Sequence, residues 1–400
     1  ERALAAAEHL SDSRAKVGQQ VDLHLEARNV LFLLGDLPRV GEHLKKAEAL
    51  AEKLADETRM ARVLNFLNSY YGLAGDPDRA IEIGERALGL SVVQADIASS
   101  TVAYYYLGAA YNKTGQYQRA IEALLRGVKN VEGDLRHEKF GTAAVLSVIC
   151  RSHLVQSLAL TGRFHEGIIR AEEGVRIAEE VDHAVSLLHV NCSLGVLYSI
   201  RGEFDKAVTV LERAMAICQS KQIPVYIPLV APPLGYAYIH LVRLNDGLPL
   251  LKQGVDNSAT AGRVGFQSLH TAWLAEGSML AGRMDEAQKL AERAYELSIQ
   301  HKERGHGALA LKLLGEIALK RNCADSSSAE SYHRQVLQLS DEMGMRPLEA
   351  HTRLALGGIL RAAGAIERAR KEISMAADLY ESLEMKPWQP IARSALENLR

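Results

Sequence analysis

The sequence predicts an all-α fold, a right-handed α-solenoid of about nine helix pairs with a period of about 40 residues. Glycines recur at this period, and Val242 and Asn322 stand in the two slots that lack one. The series is Gly35, Gly75, Gly115, Gly162, Gly202, Gly282 and Gly364, so the successive slots are 40, 40, 47, 40, 40, 40, 40 and 42 residues apart. Aromatic residues make up only 6% of the chain, which favours closely packed helices over sheets.

Each unit of the repeat is predicted to form two antiparallel helices, A and B. Apolar residues before each glycine recur at intervals of three and four, which is typical of one buried helix face. The glycine ends helix A, because a positive φ costs little only at glycine. Small residues such as Ala207 and Ala214 follow, and they allow helix B to lie close to helix A. The segment 76–78 (Asp-Pro-Asp) is predicted to form the turn and to cap helix B.

The repeats account for the whole chain of 400 residues as one solenoid domain, 1–400. Residues 1–16 read as the remnant of a preceding repeat, complete repeats cover about 17–387, and 388–400 are predicted to form a capping helix. Each unit of a repeat array buries its core against its neighbours, so this length requires no division into compact domains.

Composition and motifs argue against several classes of function. The net charge is −2 and no basic stripe is present, so we expect no nucleic-acid partner. The four cysteines and the histidine pairs lack ligand spacing, so neither a metal nor another cofactor is expected. Residues 222–242 carry no charged side chain, but four prolines fall there and the repeat register continues, so we expect no membrane span. Motifs of catalytic sites are absent, which predicts a non-enzymatic protein. The widely spaced cysteines are typical of thiols in a reducing compartment, so we expect a cytoplasmic location.

The order of residues around each glycine resembles the tetratricopeptide repeat. Leu194-Gly195, Tyr198, Gly202 and Ala207 give one copy of that pattern, and the resemblance extends over essentially the whole chain. The ordinary repeat has about 34 residues, so each helix pair here is roughly six residues longer.

Four further segments resemble the C-terminal repeat region of large bacterial signalling proteins, in which a class III adenylate or guanylate cyclase domain precedes an AAA-type ATPase and the repeats. The segments are 136–141 (RHEKFG), 303–306 (ERGH), 344–348 (GMRPL) and 384–388 (EMKPW). The resemblance implies that cyclase activity belongs to a longer parent protein, because neither catalytic part is found in these residues.

Helix A of each unit is expected to line a concave groove, with side chains 13, 10, 6 and 3 residues before the terminal glycine facing it. The candidate binding residues are Asn29, Asn65, Tyr105, Asn112, Gln156, His189, Tyr236, His240, Glu276, Lys312, Glu316 and His351. Asparagine and glutamine amides suit a peptide backbone, since each offers a donor and an acceptor. The alternative is that these polar residues only populate a solvated helix face.

The leading hypothesis is a regulatory interaction module that binds a protein segment, or an upstream domain of its own parent, through this groove. The alternative is a repeat domain that senses a small molecule and controls an attached ATPase or cyclase, with its ligand near repeats five and six.

Two breaks in the repeat lead to more specific hypotheses. The spacing of 47 residues places seven extra residues near 132–141, either as a longer loop on the rim or as a contact element for the ATPase.

In unit six, Pro228, Pro232 and Pro233 fall within the predicted helix A. We expect that helix to start late, with Pro232 or Pro233 in its first turn, or to kink. Such an opening would expose four side chains near His189, namely Tyr226, Tyr236, Ile239 and His240. A bent helix that binds nothing is the alternative.

Overall fold

The computed structural model describes residues 13–260, 264–321 and 326–399, and these residues form 19 α-helices and two short 3₁₀ helices without a β-strand. The α-helices are α1 (Arg14–Leu33), α2 (Leu37–Leu54), α3 (Glu57–Ala74), α4 (Pro77–Val93), α5 (Ile97–Thr114), α6 (Tyr117–Asn130), α7 (Leu146–Leu160), α8 (Phe164–Glu180), α9 (Ala184–Arg201), α10 (Phe204–Ser220), α11 (Ile227–His240), α12 (Leu244–Thr260), α13 (Gln267–Leu280), α14 (Met284–Gln300), α15 (Arg304–Arg321), α16 (Ser326–Met343), α17 (Arg346–Ala362), α18 (Ile366–Ser382) and α19 (Gln389–Glu397). The 3₁₀ helices are Gly133–His137 and Pro224–Tyr226.

Helices α1 to α18 pack as nine antiparallel pairs, and α19 follows as a single final helix. The predicted all-helical solenoid of helix pairs is therefore confirmed. Asn322, Arg400 at the end of the predicted capping segment, and residues 1–12 of the predicted remnant lie outside the described residues. Within the part of the chain that is described, no helix is long and apolar enough to cross a membrane.

Aspartates fix where the first helices begin. Asp36, Asp56, Asp76 and Asp96 stand 20 residues apart, half of the repeat period, and each is an N-cap. Their side chains accept hydrogen bonds from backbone N–H groups three residues later, as Asp56 does from Arg59 at 2.9 Å. This pairing satisfies donors that a helix leaves open at its first turn.

The small residues of helix B lie directly against helix A. Ala207, Ala214, Ala287 and Ala294 have no exposed surface. Gly195 on α9 faces Leu211 on α10, and a Cβ at Gly195 would overlap that leucine. Helices A and B therefore approach too closely at these points for larger side chains.

Enlarging one of these alanines should destabilise the fold. For Ala287→Leu or Ala207→Leu we expect a loss of about 1–3 kcal/mol in the free energy of unfolding, because the extra atoms force the helices apart. Urea unfolding measures this loss, and Ala362→Leu at an exposed position at the end of α17 serves as the control. An unchanged midpoint in both buried variants would contradict tight helix contact at these sites.

The solenoid curls until units about five repeats apart touch, and these contacts form a seam. Gly265 N donates to Leu73 O at 3.3 Å, which joins the start of unit seven to the end of α3. Arg201 on α9 pairs with Glu384 at 3.2 Å, close to the final helix. Contacts between α5 and α15 and between α7 and α17 continue the seam. The concave face thereby forms a central cavity that is partly open to solvent.

Two glycines that end A helices show how closely the turns approach across the seam. Gly162 has φ +81°, and a Cβ there would lie 2.6 Å from Leu383 Cδ2. Gly202 has φ +90°, and a Cβ there would overlap the Trp388 ring. These glycines therefore meet two requirements at once, a left-handed helix end and room for the neighbouring turn.

Unit six differs from the expected geometry. Helix α11 starts at Ile227 with Pro228 in its first turn, and Pro232 and Pro233 lie inside it. The expectation that Pro232 or Pro233 would begin the helix is therefore wrong. The helix is shorter than its counterpart in unit five, with 14 residues against 18, and a 3₁₀ turn precedes it.

Glycines make the interior prolines tolerable. A Cβ at Gly254 on α12 would overlap the Pro232 ring, so the ring occupies the space that a side chain would need. Gly235 and Gly247 meet where α11 and α12 cross, and a Cβ at Gly235 would lie 2.8 Å from Gly247 O. The local penalty at proline, about 3 kcal/mol, is thus offset by close packing between the two helices.

Val242 ends α11 in the slot that glycine fills in seven of the nine units. Its φ is 60°, and its side chain is 82% exposed. Because the left-handed region is unfavourable for a β-branched residue, Val242→Gly should stabilise the protein by about 1 kcal/mol. The reciprocal change Gly282→Val, one unit later, should destabilise by a similar amount in the same urea titration. A less stable Val242→Gly variant would show that the strain assigned to this position is wrong.

Candidate ligand cavity

The seam encloses a central cavity of about 1140 Å³. Side chains from the A helix of every unit line it, together with a few residues from loops and from the ends of B helices. Most of its surface is apolar or aromatic, and polar groups are interspersed along it. This combination is typical of sites that bind an organic ligand or a peptide.

Ten of the twelve candidate residues line the cavity: Asn29, Tyr105, Asn112, Gln156, His189, Tyr236, His240, Glu276, Lys312 and His351. Asn65 does not, because its amide points between helices and donates to Ser99 O at 3.0 Å and to Ser99 Oγ at 3.1 Å. Its assignment as a groove residue is therefore corrected to an interhelical contact. Glu316 lies behind Lys312, whose Nζ donates to it at 2.6 Å.

Sequence reasoning missed several aromatic and imidazole side chains of the lining: His153, Phe266, His270, Trp273 and His306. His153 and Trp273 each stand nine residues before their terminal glycine, a column that the register had not assigned to the groove. Both tryptophans of the chain, Trp273 and Trp388, line the cavity.

A row of aromatic rings crosses units five to eight. Phe204 stacks on His240 with ring centres 4.4 Å apart, and His240 meets the edge of Tyr236 at 4.6 Å. Tyr236 stacks on Trp273 at 4.8 Å, and His270 lies 5.9 Å further along. Phe266 and His306 extend the row to α15. The row offers a continuous face on which planar or apolar groups can pack.

The proposed opening at unit six is only partly present. Tyr226 stands 5.7 Å from His189 in edge-to-face contact, and both line the cavity together with Tyr236 and His240. Ile239, which we expected to be exposed there, is buried against Leu251 and Leu274. Its direction follows from the helix phase, because it lies roughly 60° from Tyr236 and 100° from His240 around the helix, on the side that meets α12 and α13.

Glu276 carries the acidic charge of the lining. Burial opposes its ionisation, but His240, Lys312 and a hydrogen bond from Tyr236 lower its pKa to about 2. His240 Nε2 lies 3.4 Å from its carboxylate. Burial opposes the charge of Lys312 as well, yet Glu316 and Glu276 together raise its pKa. Both groups therefore remain ionised at neutral pH.

Four other imidazoles of the lining are neutral at pH 7. Burial lowers the pKa of His153 and His351 to about 3, and that of His189 and His270 to about 4. Neutral imidazoles can donate and accept hydrogen bonds without adding charge. His351 shows this role, since its Nδ1 lies 2.9 Å from Tyr380 Oη.

The extra residues 132–141 reach both the outer and the inner surface. Arg136 and His137 pair with Glu180 on α8 at 2.7 and 3.0 Å. The chain then turns inward, so that Lys139, Gly141 and Thr142 line the cavity. The segment therefore differs from a simple rim loop, because its second half forms part of the inner wall.

A buried polar cluster joins the seam to the edge of the cavity. Glu303 is 1% exposed and accepts hydrogen bonds from Phe266 N at 3.2 Å and from Ser268 Oγ. Burial would raise its pKa, but His306, Ser268 and Lys113 lower it to about 2. Burial lowers the pKa of Lys113, whose Nζ donates to Gly72 O and lies 5.1 Å from the Phe266 ring. The cluster links units two, three, seven and eight.

The cysteines and acidic groups of the described ranges offer no metal site. No group of three His, Cys, Asp or Glu residues there could hold a metal ion. Cys150 and Cys218 are buried, and burial raises the pKa of their thiols to about 12 and 11. Thiols in this state are poor nucleophiles at neutral pH.

Comparison with known proteins supports the repeat fold. Residues 102–130 and 193–225 match tetratricopeptide repeat families. The sequence matches no curated protein. The chain carries tetratricopeptide repeats and shares its fold with solved structures of low sequence identity.

Three solved structures illustrate this similarity. A Rap protein complexed with Competence and Sporulation Factor is 10% identical, with a TM-score of 0.52 over 85% of this chain and 97% of that one. NprR in complex with its cognate peptide NprX is 14% identical, with a TM-score of 0.52 over 72% of this chain and 81% of that one. A STAND protein with a tetratricopeptide repeat sensor from Pyrococcus horikoshii is 12% identical, with a TM-score of 0.49 over 96% of this chain. This chain spans 55% of the length of that protein.

Proposed function

We propose that this chain is a non-catalytic regulatory module that binds a short peptide, or an extended segment of a protein, inside the central cavity. The observation that carries the proposal is the pairing of the aromatic row with amide side chains in one central cavity. Asn29 and Gln156 line the part of the wall formed by α1 to α9, where amides can pair with a peptide backbone. Tyr236 and Trp273 provide packing surface for apolar side chains in the part formed by α11 to α17.

The size of the cavity favours a peptide over a small metabolite. Sites for small molecules typically have about 300–1,000 Å³, and this cavity is larger, at about 1140 Å³. NprR, which shares the fold, is described with a cognate peptide. In a longer parent protein of the cyclase and ATPase type that the sequence resembles, ligand binding here would regulate the attached domains in the cytoplasm.

A small-molecule ligand is the second candidate, and the grouping of Tyr226 and His189 beside Tyr236 and His240 favours it. These four rings border one region of the cavity at repeats five and six. A metabolite would need only this region, whereas a peptide would also contact the amides near α1 and α7.

Tryptophan fluorescence provides a direct test, because Trp273 and Trp388 both line the cavity. Peptide pools of random sequence, six residues long, are added to the full chain and the emission is followed. We expect saturable changes with peptides. A response to single metabolites but to no peptide would favour the second candidate, and a response to neither would overturn the proposed function.

Replacing one aromatic anchor tests the location of the site. Tyr236→Ala should weaken the binding of peptides selected on the wild-type chain by at least ~10-fold, because central aromatic side chains often dominate binding. Circular dichroism should show an unchanged helical signal. The control is Tyr332→Ala on α16, a half-buried tyrosine outside the cavity. Equal affinity for the Tyr236 variant and the wild type would place the peptide elsewhere.

A further inference from the structure

Arg28 is a buried cation of the cavity wall that has no carboxylate partner. Only 6% of its surface is exposed, and no ion pair of the described residues involves it. Its Nη1 donates to Asn29 Oδ1 at 3.0 Å, whereas its buried Nε has no hydrogen-bond partner. A buried charge is costly when it lacks an opposite charge.

Two aromatic rings hold the guanidinium in place. Its Cζ lies 4.2 Å from the centre of the Phe66 ring and 4.9 Å from that of Phe32. Gly141 of the extra segment lies near the Phe66 ring, since a Cβ at Gly141 would be 3.8 Å from Phe66 Cζ. An arginine fixed in this way loses little conformational freedom when a ligand binds.

The charges of the lining are distributed unevenly. Lys312 pairs with Glu316 at 2.6 Å and is further stabilised by Glu276, and Glu303 favours the charge of Lys113 although no ion pair of the described residues joins those two. Arg28 and Lys139 also line the cavity, and none of the ion pairs among the described residues compensates them. Lys139 is brought into the wall by the extra residues of the 47-residue spacing.

We propose that Arg28, assisted by Asn29 and Lys139, binds a carboxylate of the peptide ligand. The inference rests on the proposed function and extends it by naming an acidic group as a requirement for binding. A planar guanidinium offers paired N–H donors that match a carboxylate, and in a water-poor wall such a contact is strong. The carboxylate is either the C-terminus of the peptide or an Asp or Glu side chain.

Three random hexapeptide pools distinguish these two sources. One pool has a free C-terminus, the second is amidated, and the third is amidated and lacks Asp and Glu. Affinity selection on the full chain, read by mass spectrometry, reports which peptides are retained. Preference for the free C-terminus identifies the terminal carboxylate. Preference for acidic side chains within the amidated pools identifies the side-chain carboxylate. Both outcomes support the subsite.

Substitutions assign the preference to Arg28. Arg28→Met keeps the stacking volume and removes the charge, so carboxylate-containing peptides should lose at least ~30-fold in affinity. Arg28→Lys should retain part of it, and Lys139→Gln, at an exposed loop position, should cause a smaller loss without affecting folding. Arg86→Met on the outer helix α4 is the matched control and should bind like the wild type.

Other results would overturn the inference. If the wild type binds peptides regardless of their carboxylates, or if the Arg28→Met variant keeps the preference, the subsite is wrong and peptide binding stands. If no pool binds, the proposed function fails. The subsite is then judged by thermal unfolding with N-acetylleucine against N-acetylleucinamide. Stabilisation by the acid alone, lost in Arg28→Met and reduced in Lys139→Gln, supports it, and equal effects of acid and amide reject it.

Discussion

Removing the Glu303 carboxylate is expected to destabilise the protein by about 3–5 kcal/mol and to open the seam, because His306 Nδ1, at 3.3 Å, would lose its buried ion-pair partner and Lys113 would lose a nearby opposite charge. Glu303 is 1% exposed, and it also accepts hydrogen bonds from Phe266 N and Ser268 Oγ. Glu303→Ala therefore leaves Phe266 N, Ser268 Oγ and His306 Nδ1 without the carboxylate that they contact. Chemical unfolding measures the loss of stability, and small-angle X-ray scattering should show a larger radius of gyration.

The neighbouring residue provides a control at the same seam. Lys302 pairs with Asp78 across it, but both side chains are more than half exposed. Exposed ion pairs contribute little to stability, so Lys302→Ala should leave both measurements nearly unchanged. If Glu303→Ala behaves like Lys302→Ala, the seam is held by the apolar contacts alone.

A double variant separates the charge from the hydrogen bonds. Lys113→Met removes the cation that Glu303→Gln would otherwise leave uncompensated. We therefore expect the combination to be less destabilised than the sum of the two single variants, by roughly 0.5–3 kcal/mol. Strict additivity would show that Lys113 and Glu303 do not interact across the seam.

The repeat period was sufficient to predict the helices and their pairing. The glycines and the small residues of helix B act locally, between neighbouring helices, so their spacing gives the fold directly. The seam could not be predicted in this way. It depends on how far the solenoid curls, and its contacts, such as Arg201 with Glu384, join residues 183 positions apart.

The errors in the cavity have a geometric origin. Successive residues of a helix are about 100° apart, so the column nine residues before the glycine lies roughly 40° from the column thirteen before it. The column ten residues before lies roughly 60° away on the other side. The cavity-facing side of helix A therefore consists of the four columns that lie thirteen, nine, six and two residues before the glycine. This explains why His153 and Trp273 were missed. The column ten residues before the glycine lies at the edge of the cavity-facing side, so Tyr105 and Lys312 still reach the cavity, whereas Asn65 turns between helices and donates to Ser99 O.

The prolines of unit six show a different limit. Taken by itself, a proline pair predicts a helix start, and Pro232 and Pro233 were interpreted in that way. The structure keeps them inside α11 because Gly254 leaves room for the Pro232 ring. The glycine that compensates lies 22 residues away on another helix, so local reasoning about proline does not detect it.

Stability should fall as the pH is lowered from 7 to 5, because four cavity histidines are neutral in the folded protein. Burial holds the pKa of His153 and His351 at about 3 and that of His189 and His270 at about 4. In the unfolded chain these rings take up protons near pH 6.5. The unfolded state therefore binds more protons throughout this range. As a result, the free energy of unfolding becomes smaller as the pH is lowered.

Each ring should contribute about 1–2 kcal/mol to the loss between pH 7 and pH 5. A loss near the lower end of this range is expected for a ring whose protonated form is hydrated by water in the cavity. The carboxylates do not obscure this window. Glu276 and Glu303 have pKa values lowered to about 2, so their contribution is lost only below about pH 4.5.

Urea unfolding at several pH values between 5 and 7 measures this dependence, and single substitutions assign it. His153→Gln removes one titrating ring, so the slope of stability against pH should become smaller. His165→Gln, at an exposed position on α8, should leave the slope unchanged. Equal or greater stability at pH 5 than at pH 7 would mean that the imidazoles are protonated in the folded protein. The cavity would then carry several positive charges, and a neutral aromatic wall could no longer be part of the binding site.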